Sequence, residues 1–369
     1  MKVVHLTSVH IPHDIRIFHK ECKTLARAGH EVILVVPREK GSCAEEIDGV
    51  RIEPVVKPRN RRERMTLTLW RVYRTALHEN ADIYHFHDPE MMIVGLLLKL
   101  RGKRVVYDVH EDIPRQIMTR HWIPRRLRLP VSRVVEFVET RCASVWDGIV
   151  VVTPTIARRF PPGKTVLVQN FPIQDELIPI EPRPYQSRPS NIAYVGKIEG
   201  VRGAREMIRA MGTLPSSIDA SLELAGVFEP KSLRAELEQV PGWERVRAPG
   251  WLSRSGITDM LAHARIGLVV LHPVENYLDA QPIKLFEYMA AGMAIVASDF
   301  PRWREMIGQV SCCVFVNPLD PSAIADAIQW LLEHPQEAEA MGMRGRQAVQ
   351  TRFNWDSEGA SLVRFYEEL

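Results

Sequence analysis

The feature that most constrains this chain is an alternation, run through twice, of short β-branched runs with longer amphipathic segments. In the first half Val3–Leu6, Glu31–Val36, Val50–Val56, Ile83–Phe86, Arg104–Asp108, Gly148–Thr153 and Thr165–Gln169 read as strands. Asp14–Ala28, Thr66–His78 and Glu90–Leu100 read as helices between them, the first ended by Gly29. The pattern restarts with strands at Asn191–Val195, Ser221–Ala225, Arg245–Ala248, Ile266–Leu271, Ala294–Ala297 and Cys313–Val316. Helices at Ala204–Met211, Ser255–Ala264, Pro321–Glu333 and Asp356–Glu368 separate or follow these. Parallel neighbours need a crossover, usually a helix, so the order predicts mostly parallel sheets with helices on both faces. Between the halves, Phe171–Ser190 carries five prolines, a composition that suits an extended linker. The expected fold is α/β, two Rossmann-like domains with parallel sheets facing a central cleft. The expected domains are 1–175, a linker at 176–190, 191–354 and a terminal helix at 355–369. A length of 369 residues supports two cores.

Charge and cysteine usage exclude some classes. A net charge of +3 is too weak to imply nucleic acid, and no nucleic-acid module is recognisable. The five cysteines show no metal-ligand spacing, so reduced thiols are expected. The longest apolar run, near Met91–Leu98, is too short for a bilayer, and no signal-peptide run follows Met1. A soluble or membrane-peripheral cytoplasmic protein is the expectation.

The most informative stretch runs from Asp279 to Gly292. Pro282 suits a first helical turn and Gly292 a helix stop. The helix follows an apolar strand, and in open α/β sheets ligands bind at strand C-terminal ends, where helix N-termini attract phosphate. Asp279 and Glu287 are placed to hold sugar and ribose hydroxyls, with backbone amides near Ile283 and the side chain of Lys284 beside them. A packed helix with a capping Asp and a solvated Glu fits the local pattern equally well. A second stretch, Tyr194–Gly203, takes a strand into a turn with Gly196, Lys197, Gly200, Arg202 and Gly203. Glycines let backbone approach a ligand and the cations neutralise phosphate; a solvated turn is the alternative.

Three further segments follow strand ends. His10-Ile11-Pro12-His13-Asp14-Ile15-Arg16-Ile17-Phe18-His19-Lys20-Glu21-Cys22 opens a helix, which Asp14 is able to cap and from which Arg16 is able to face the cleft. His87 and Asp88 end one strand and His110 follows another. A lone histidine is more often structural, but these fall where cleft residues belong. Two stretches mix cations with apolar anchors. Lys57–Arg74 has seven Lys/Arg and one acid, with Leu67, Leu69, Trp70 and Tyr73; Arg115–Arg133 has six Arg and no acid, with Ile117, Trp122, Leu127 and Leu129. They suit an anionic membrane surface; a solvated face or a nucleic-acid patch are the other readings.

Pro282–Gly292, continued by Ala294–Ser298, resembles the signature of glycosyltransferase family 4, the retaining "group 1" type with GT-B architecture. Glu287 matches the Glu that ends the family's E-x7-E motif and binds donor ribose; Asp279 matches the first carboxylate, near the donor sugar. Asp here replaces the commoner Glu, and Ala280-Gln281-Pro282 replaces a glycine-rich loop. Gly196–Gly203 resembles the family's diphosphate-gripping element, with Lys197 in the Arg place and Arg202 in the Lys place. The His10–Cys22 stretch resembles a subgroup pattern, H-x3-D-x-R-I-F-x-K-E, that replaces a Gly-Gly loop; its chemical role is left open. His110 matches a histidine near the reacting centre. Asn170 fits a structural position at the domain junction, and the last helix resembles one that crosses back to the N-terminal domain.

The resemblance implies transfer, with retention, of a sugar from a nucleotide diphosphate sugar bound by the C-terminal domain to an acceptor bound by the N-terminal domain; the basic-apolar stretches favour a glycan or lipid-linked acceptor in surface polysaccharide synthesis. His110, Asp279 and Glu287 are the implied catalytic set. Gly196, Lys197, Arg202, Ile283, Lys284 and Glu287 are the implied donor site. His10, Asp14, Arg16, His87 and Asp88 are assigned to the acceptor or the cleft. No cofactor or metal is expected. A GT-B nucleotide-sugar epimerase and a non-catalytic nucleotide-sugar-binding protein are the alternatives; a dehydrogenase is disfavoured because no G-x-G-x-x-G follows the first strand.

Overall fold

A computed structural model describes residues 1–119, 123–173 and 183–369. Trp122, Pro179 and Pro182 lie outside them. The chain forms two compact units, Met1–Asn170 with Trp355–Leu369, and Phe171–Asn354.

The first unit is built on β1 (Lys2–Leu6), β2 (Glu31–Arg38), β3 (Glu45–Ile47), β4 (Val50–Val56), β5 (Ile83–Phe86), β6 (Arg104–Val109), β7 (Gly148–Val151) and β8 (Thr165–Leu167). Their order is β3-β4-β2-β1-β5-β6-β7-β8, and every neighbouring pair except β3–β4 is parallel. Strand order reverses between β1 and β5, which opens a crevice at their C-terminal ends. The sequence reading omits β3. Asp48 and Gly49, both with positive φ, make the tight β3–β4 turn, an Asp-Gly hairpin signal that was there to be read. It also omits the helices Arg125–Ala143 and Pro335–Thr351. In the first of these, Leu127, Leu129, Val134 and Phe137 are exposed, so its apolar residues do not mark a buried stripe. The expected helix from Asp14 begins instead as a π-helical segment, Ile15–Cys22, and becomes α only over Lys23–Arg27.

The terminal helix Trp355–Glu368 packs into this unit. Trp355 Nε1 donates to Thr24 Oγ1 at 2.8 Å, and Gln169 N donates to Glu358 Oε2 at 2.7 Å. Phe365 lies over Gly148, where a Cβ would come within 2.4 Å of its ring.

The second unit contains β9 (Asn191–Val195), β10 (Ser221–Ala225), β11 (Val246–Gly250), β12 (Ala264–Val269), β13 (Ala294–Ser298) and β14 (Cys313–Val316). All pairs are parallel, in the order β11-β10-β9-β12-β13-β14. The central strands β9, β12 and β13 are buried on both faces and read as near-continuous apolar runs. Phe171 joins this core, its ring against Phe286 and Phe353 at 4.8 and 5.3 Å between centroids. The switch point lies between β9 and β12, and the loops leaving these two strands are tied by His272 N donating to Val201 O at 2.9 Å.

Candidate active site

In the second unit, both donor-type motifs leave adjacent strands at the switch point. After β9, Gly196 adopts φ 125° and Gly203 φ 77°. A Cβ at Gly203 would sit 2.2 Å from Val270 O, so only glycine permits this turn to press against the end of β12. The helix Ile283–Ala290 then presents Lys284 to Gly196: a Cβ there would meet Lys284 Nζ at 3.3 Å. Pro282 is the N-cap, with extended backbone, one residue ahead of its expected place in the first turn.

Lys284 is the unusual group. Its side chain is buried, its ammonium lies 3.7 Å from the centroid of the Tyr194 ring, and Nζ has no hydrogen-bond partner. Burial first, and repulsion from Arg202 second, hold its pKa well below the ordinary lysine range. Arg202 is half-buried, pairs with Glu199 at 2.8 Å and lies over Tyr277. Glu287 is buried, not solvated, and pairs with Arg254 Nη1 at 2.7 Å. Lys197 is exposed and pairs with Glu229 at 2.9 Å, and Asp279 is exposed at the end of the short helix Glu275–Leu278. The structure therefore groups Gly196, Arg202, Lys284, Glu287 and the amino end at Ile283, while Lys197 and Asp279 stand on the exposed surface. Arg254 was missed by the sequence reading; nothing in its local pattern ties it to Glu287.

In the first unit the crevice between β1 and β5 collects a dense polar network. Asp88 accepts from Thr7 Oγ1 at 2.8 Å and from Ser8 N at 2.6 Å. His10 bridges Asp14 (3.0 Å) and Asp88 (3.3 Å). Asp14 also caps its helix, accepting from Arg16 N and Ile17 N. The expectation that Arg16 faces a cleft is corrected. Arg16 is buried, its guanidinium doubly bonded to Asp108 (2.7 and 3.0 Å), in contact with Glu21 and donating to Val168 O. Its charge and donors are needed by buried carboxylates, which hold it inward. His87, also buried, hydrogen-bonds Asp108 at 3.0 Å, and His110 Nδ1 lies 3.3 Å from the same carboxylate. Burial opposes ionisation of Asp108, but Arg16 and these rings hold its carboxyl well below the usual range. Lys20 reaches Asn170 Oδ1 at 2.6 Å.

A cavity of about 1340 Å³ opens from this network. Its polar end includes His10, Asp88 and His110; its other walls mix Arg38, Lys57, Arg61 and Arg64 with Met65, Ile117, Val131 and Val135.

The His10 bridge makes a pH prediction. Burial lowers its pKa, but hydrogen bonds to Asp14 and Asp88 outweigh this and raise it to about 10. A group raised in the folded state contributes fully below its unfolded pKa, about 6.5, and loses that contribution as pH rises through the folded value. The unfolding temperature of His10→Gln should therefore fall furthest below wild type near pH 6 and converge on it toward pH 10. Calorimetry across that range checks the sign; a gap that widens with pH would contradict the bridge.

Comparison with known proteins shows the family and the fold. Residues 16–164 match the model for Glycosyltransferase Family 4, and residues 181–348 match Glycosyl transferases group 1. An MMP alpha-(1->4)-mannosyltransferase of Mycolicibacterium hassiacum is 24% identical over 318 residues, covering 81% of this chain and 74% of that protein. Sucrose-phosphate synthase from Thermosynechococcus elongatus superposes with a TM-score of 0.81 at 19% identity, over 100% of this chain and 98% of that one. Anabaena Alr3699/HepE in complex with UDP and glucose gives a TM-score of 0.76 at 13% identity over 100% of both chains. Two parallel-sheet α/β domains, each with its crevice at a switch point and each matched by a glycosyltransferase family model, identify the chain as a GT-B glycosyltransferase of family 4, group 1.

Proposed function

We propose that the chain transfers a sugar, with retention, from a nucleotide diphosphate sugar bound by the second unit to a glycan or lipid-linked acceptor bound by the first, in surface polysaccharide assembly. The observation that carries the donor half is Lys284, a buried ammonium with no hydrogen-bond partner at a switch point beside Gly196. An anion there satisfies it, and diphosphate also reaches Arg202 and the amides at the start of the helix Ile283–Ala290. UDP and glucose held by a protein of the same fold agree with that chemistry.

In this reading the hard event is departure of the diphosphate as the sugar becomes oxocarbenium-like. Lys284, Arg202 and the helix amides stabilise the growing charge, so protein cations do the work and no metal is required. Glu287, held by Arg254, orients the ribose, and Asp279 the sugar. His110 lines the reacting face, its ring held by Asp108. The departing phosphate oxygen takes the acceptor proton. Thermal-shift screening against nucleotide sugars, followed by NMR of the product anomer, tests donor and stereochemistry; an inverted product would remove retention.

The acceptor half rests on the basic and apolar walls of the first unit's cavity and on the helix Arg125–Ala143. That helix exposes Arg125, Arg126 and Arg133 beside Leu127, Val134 and Phe137. Among the described residues no helix is long and apolar enough to cross a membrane, so contact would be peripheral. Anionic liposomes should sediment the protein at low salt. Replacing the three arginines by serine should weaken partition by about 3 kcal/mol, on the order of 100-fold. No sedimentation at low salt would remove the membrane part.

A further inference from the structure

We infer that the first unit holds a divalent cation of the zinc class in a buried site formed by His5, His85, His87 and Glu21. His5 and His85 are register partners on the adjacent parallel strands β1 and β5, so both side chains leave the sheet on one face. His87 joins them, with centroid separations of 4.7 to 5.2 Å among the three rings. Glu21 arrives from the π-helical segment Ile15–Cys22. All four are buried, and one ring nitrogen from each histidine and one Glu21 oxygen lie within 4.8 Å of one another.

The hydrogen-bond accounting does not close without a further group. Neither oxygen of Glu21 accepts a hydrogen bond. Orphaned polar atoms at such depth are each costly, and most of all on a carboxylate. Arg16 Nε approaches Glu21 at 3.0 Å, but the guanidinium fork is already bonded to Asp108. Lys20, next in sequence, sends its ammonium to Asn170. Three imidazoles and one carboxylate make a nitrogen and oxygen set of the kind that zinc takes in tetrahedral sites. With bonds of about 2.1 Å, such a set has edges of about 3.4 Å. His5 Nδ1 lies 2.9 Å from His87 Nε2, a hydrogen bond that an ion would replace, and Glu21 Oε2 lies 3.8 Å from His85 Nδ1 and 4.0 Å from His5 Nδ1, distances that bracket that value; His85 Nδ1 would give up its 2.7 Å hydrogen bond with Tyr366 Oη to take the ion. His87 Nδ1 is bonded to Asp108, the outer carboxylate that orients a ligating histidine. The ion would lock β1, β5 and the Ile15–Cys22 segment together. By fixing the His87 tautomer it would also set the carboxylate that faces His110.

The test uses tag-free, full-length protein, because histidine tags bind the same metals. The chain is unfolded in guanidinium with chelator, refolded with zinc, with cobalt or with neither, dialysed, and assayed by mass spectrometry for metal. The expected result is about one zinc per chain, a tetrahedral cobalt spectrum, and an unfolding temperature for the metal-free form that is lower and recovers on adding zinc. His5→Gln combined with Glu21→Gln should lower the metal content at least tenfold. Should that pair fail to fold, the wild-type metal count and cobalt spectrum still decide the matter. Less than about 0.1 zinc per refolded wild-type chain overturns the inference and leaves a proton-shared network. Full zinc retention by a folded double variant overturns it equally.

Discussion

Arg16→Met should lower the unfolding free energy of the first unit by about 3–5 kcal/mol, the range found when one partner of a buried ion pair is removed. Arg16 is fully enclosed, and its fork is the main counter-charge of Asp108 and a contact of Glu21, both themselves buried. Methionine restores the volume but not the charge, so both carboxylates must take up protons or draw in water. Asp108 also anchors His87 and His110, so transferase activity should fall in the fraction that stays folded. Arg16→Lys keeps the charge without the two parallel bonds, and should recover part of the loss. Urea unfolding followed by tryptophan fluorescence measures it. A loss under about 1 kcal/mol would show that Asp108 is compensated in another way.

Lys284→Met should separate stability from function. In the free protein the ammonium has no hydrogen-bond partner, and methionine removes a buried cation at little cost in volume. Against this stands the lost contact with the Tyr194 ring. The unfolding temperature should rise, by about 2–4 °C for a net gain of about 1 kcal/mol. Binding of UDP or GDP should weaken by about 10- to 150-fold, the loss of one charge-assisted bond of about 1.5–3 kcal/mol. Burial and Arg202 hold the lysine pKa low, and a bound diphosphate would oppose both by supplying a counter-charge. Titration calorimetry with UDP and GDP measures the affinities of wild type and variant. Arg202→Ala should weaken the same ligands without the rise in stability, because it also breaks the Glu199 pair. Unchanged binding in both variants would place the diphosphate elsewhere.

Much of the architecture was legible because it depends on period and order. Strands buried on both faces appear as unbroken β-branched runs, and Gly292, with φ 67°, follows the helix it was expected to stop. The misses have local causes. The hairpin strand β3 is only three residues long, and the helix Arg125–Ala143 leaves its apolar residues in solvent. The sites were legible as segments but not as partnerships. That Lys284 and Gly196 meet, and that Arg254 holds Glu287, joins residues 88 and 33 positions apart (284 − 196 and 287 − 254).

The amino-acid order alone determined the two α/β halves and the loops at strand ends, because backbone periodicity and turn chemistry act between near neighbours; the resemblance of three motifs pointed to the family. Only the tertiary structure decided which charges stay without a hydrogen-bond partner and which pair inside the protein. Arg16 went inward to Asp108, Lys284 was left buried without a hydrogen-bond partner, and Lys197 turned to Glu229. The reason is that the cost of a charge depends on its distance from water and from its counter-charge, and chain folding sets both.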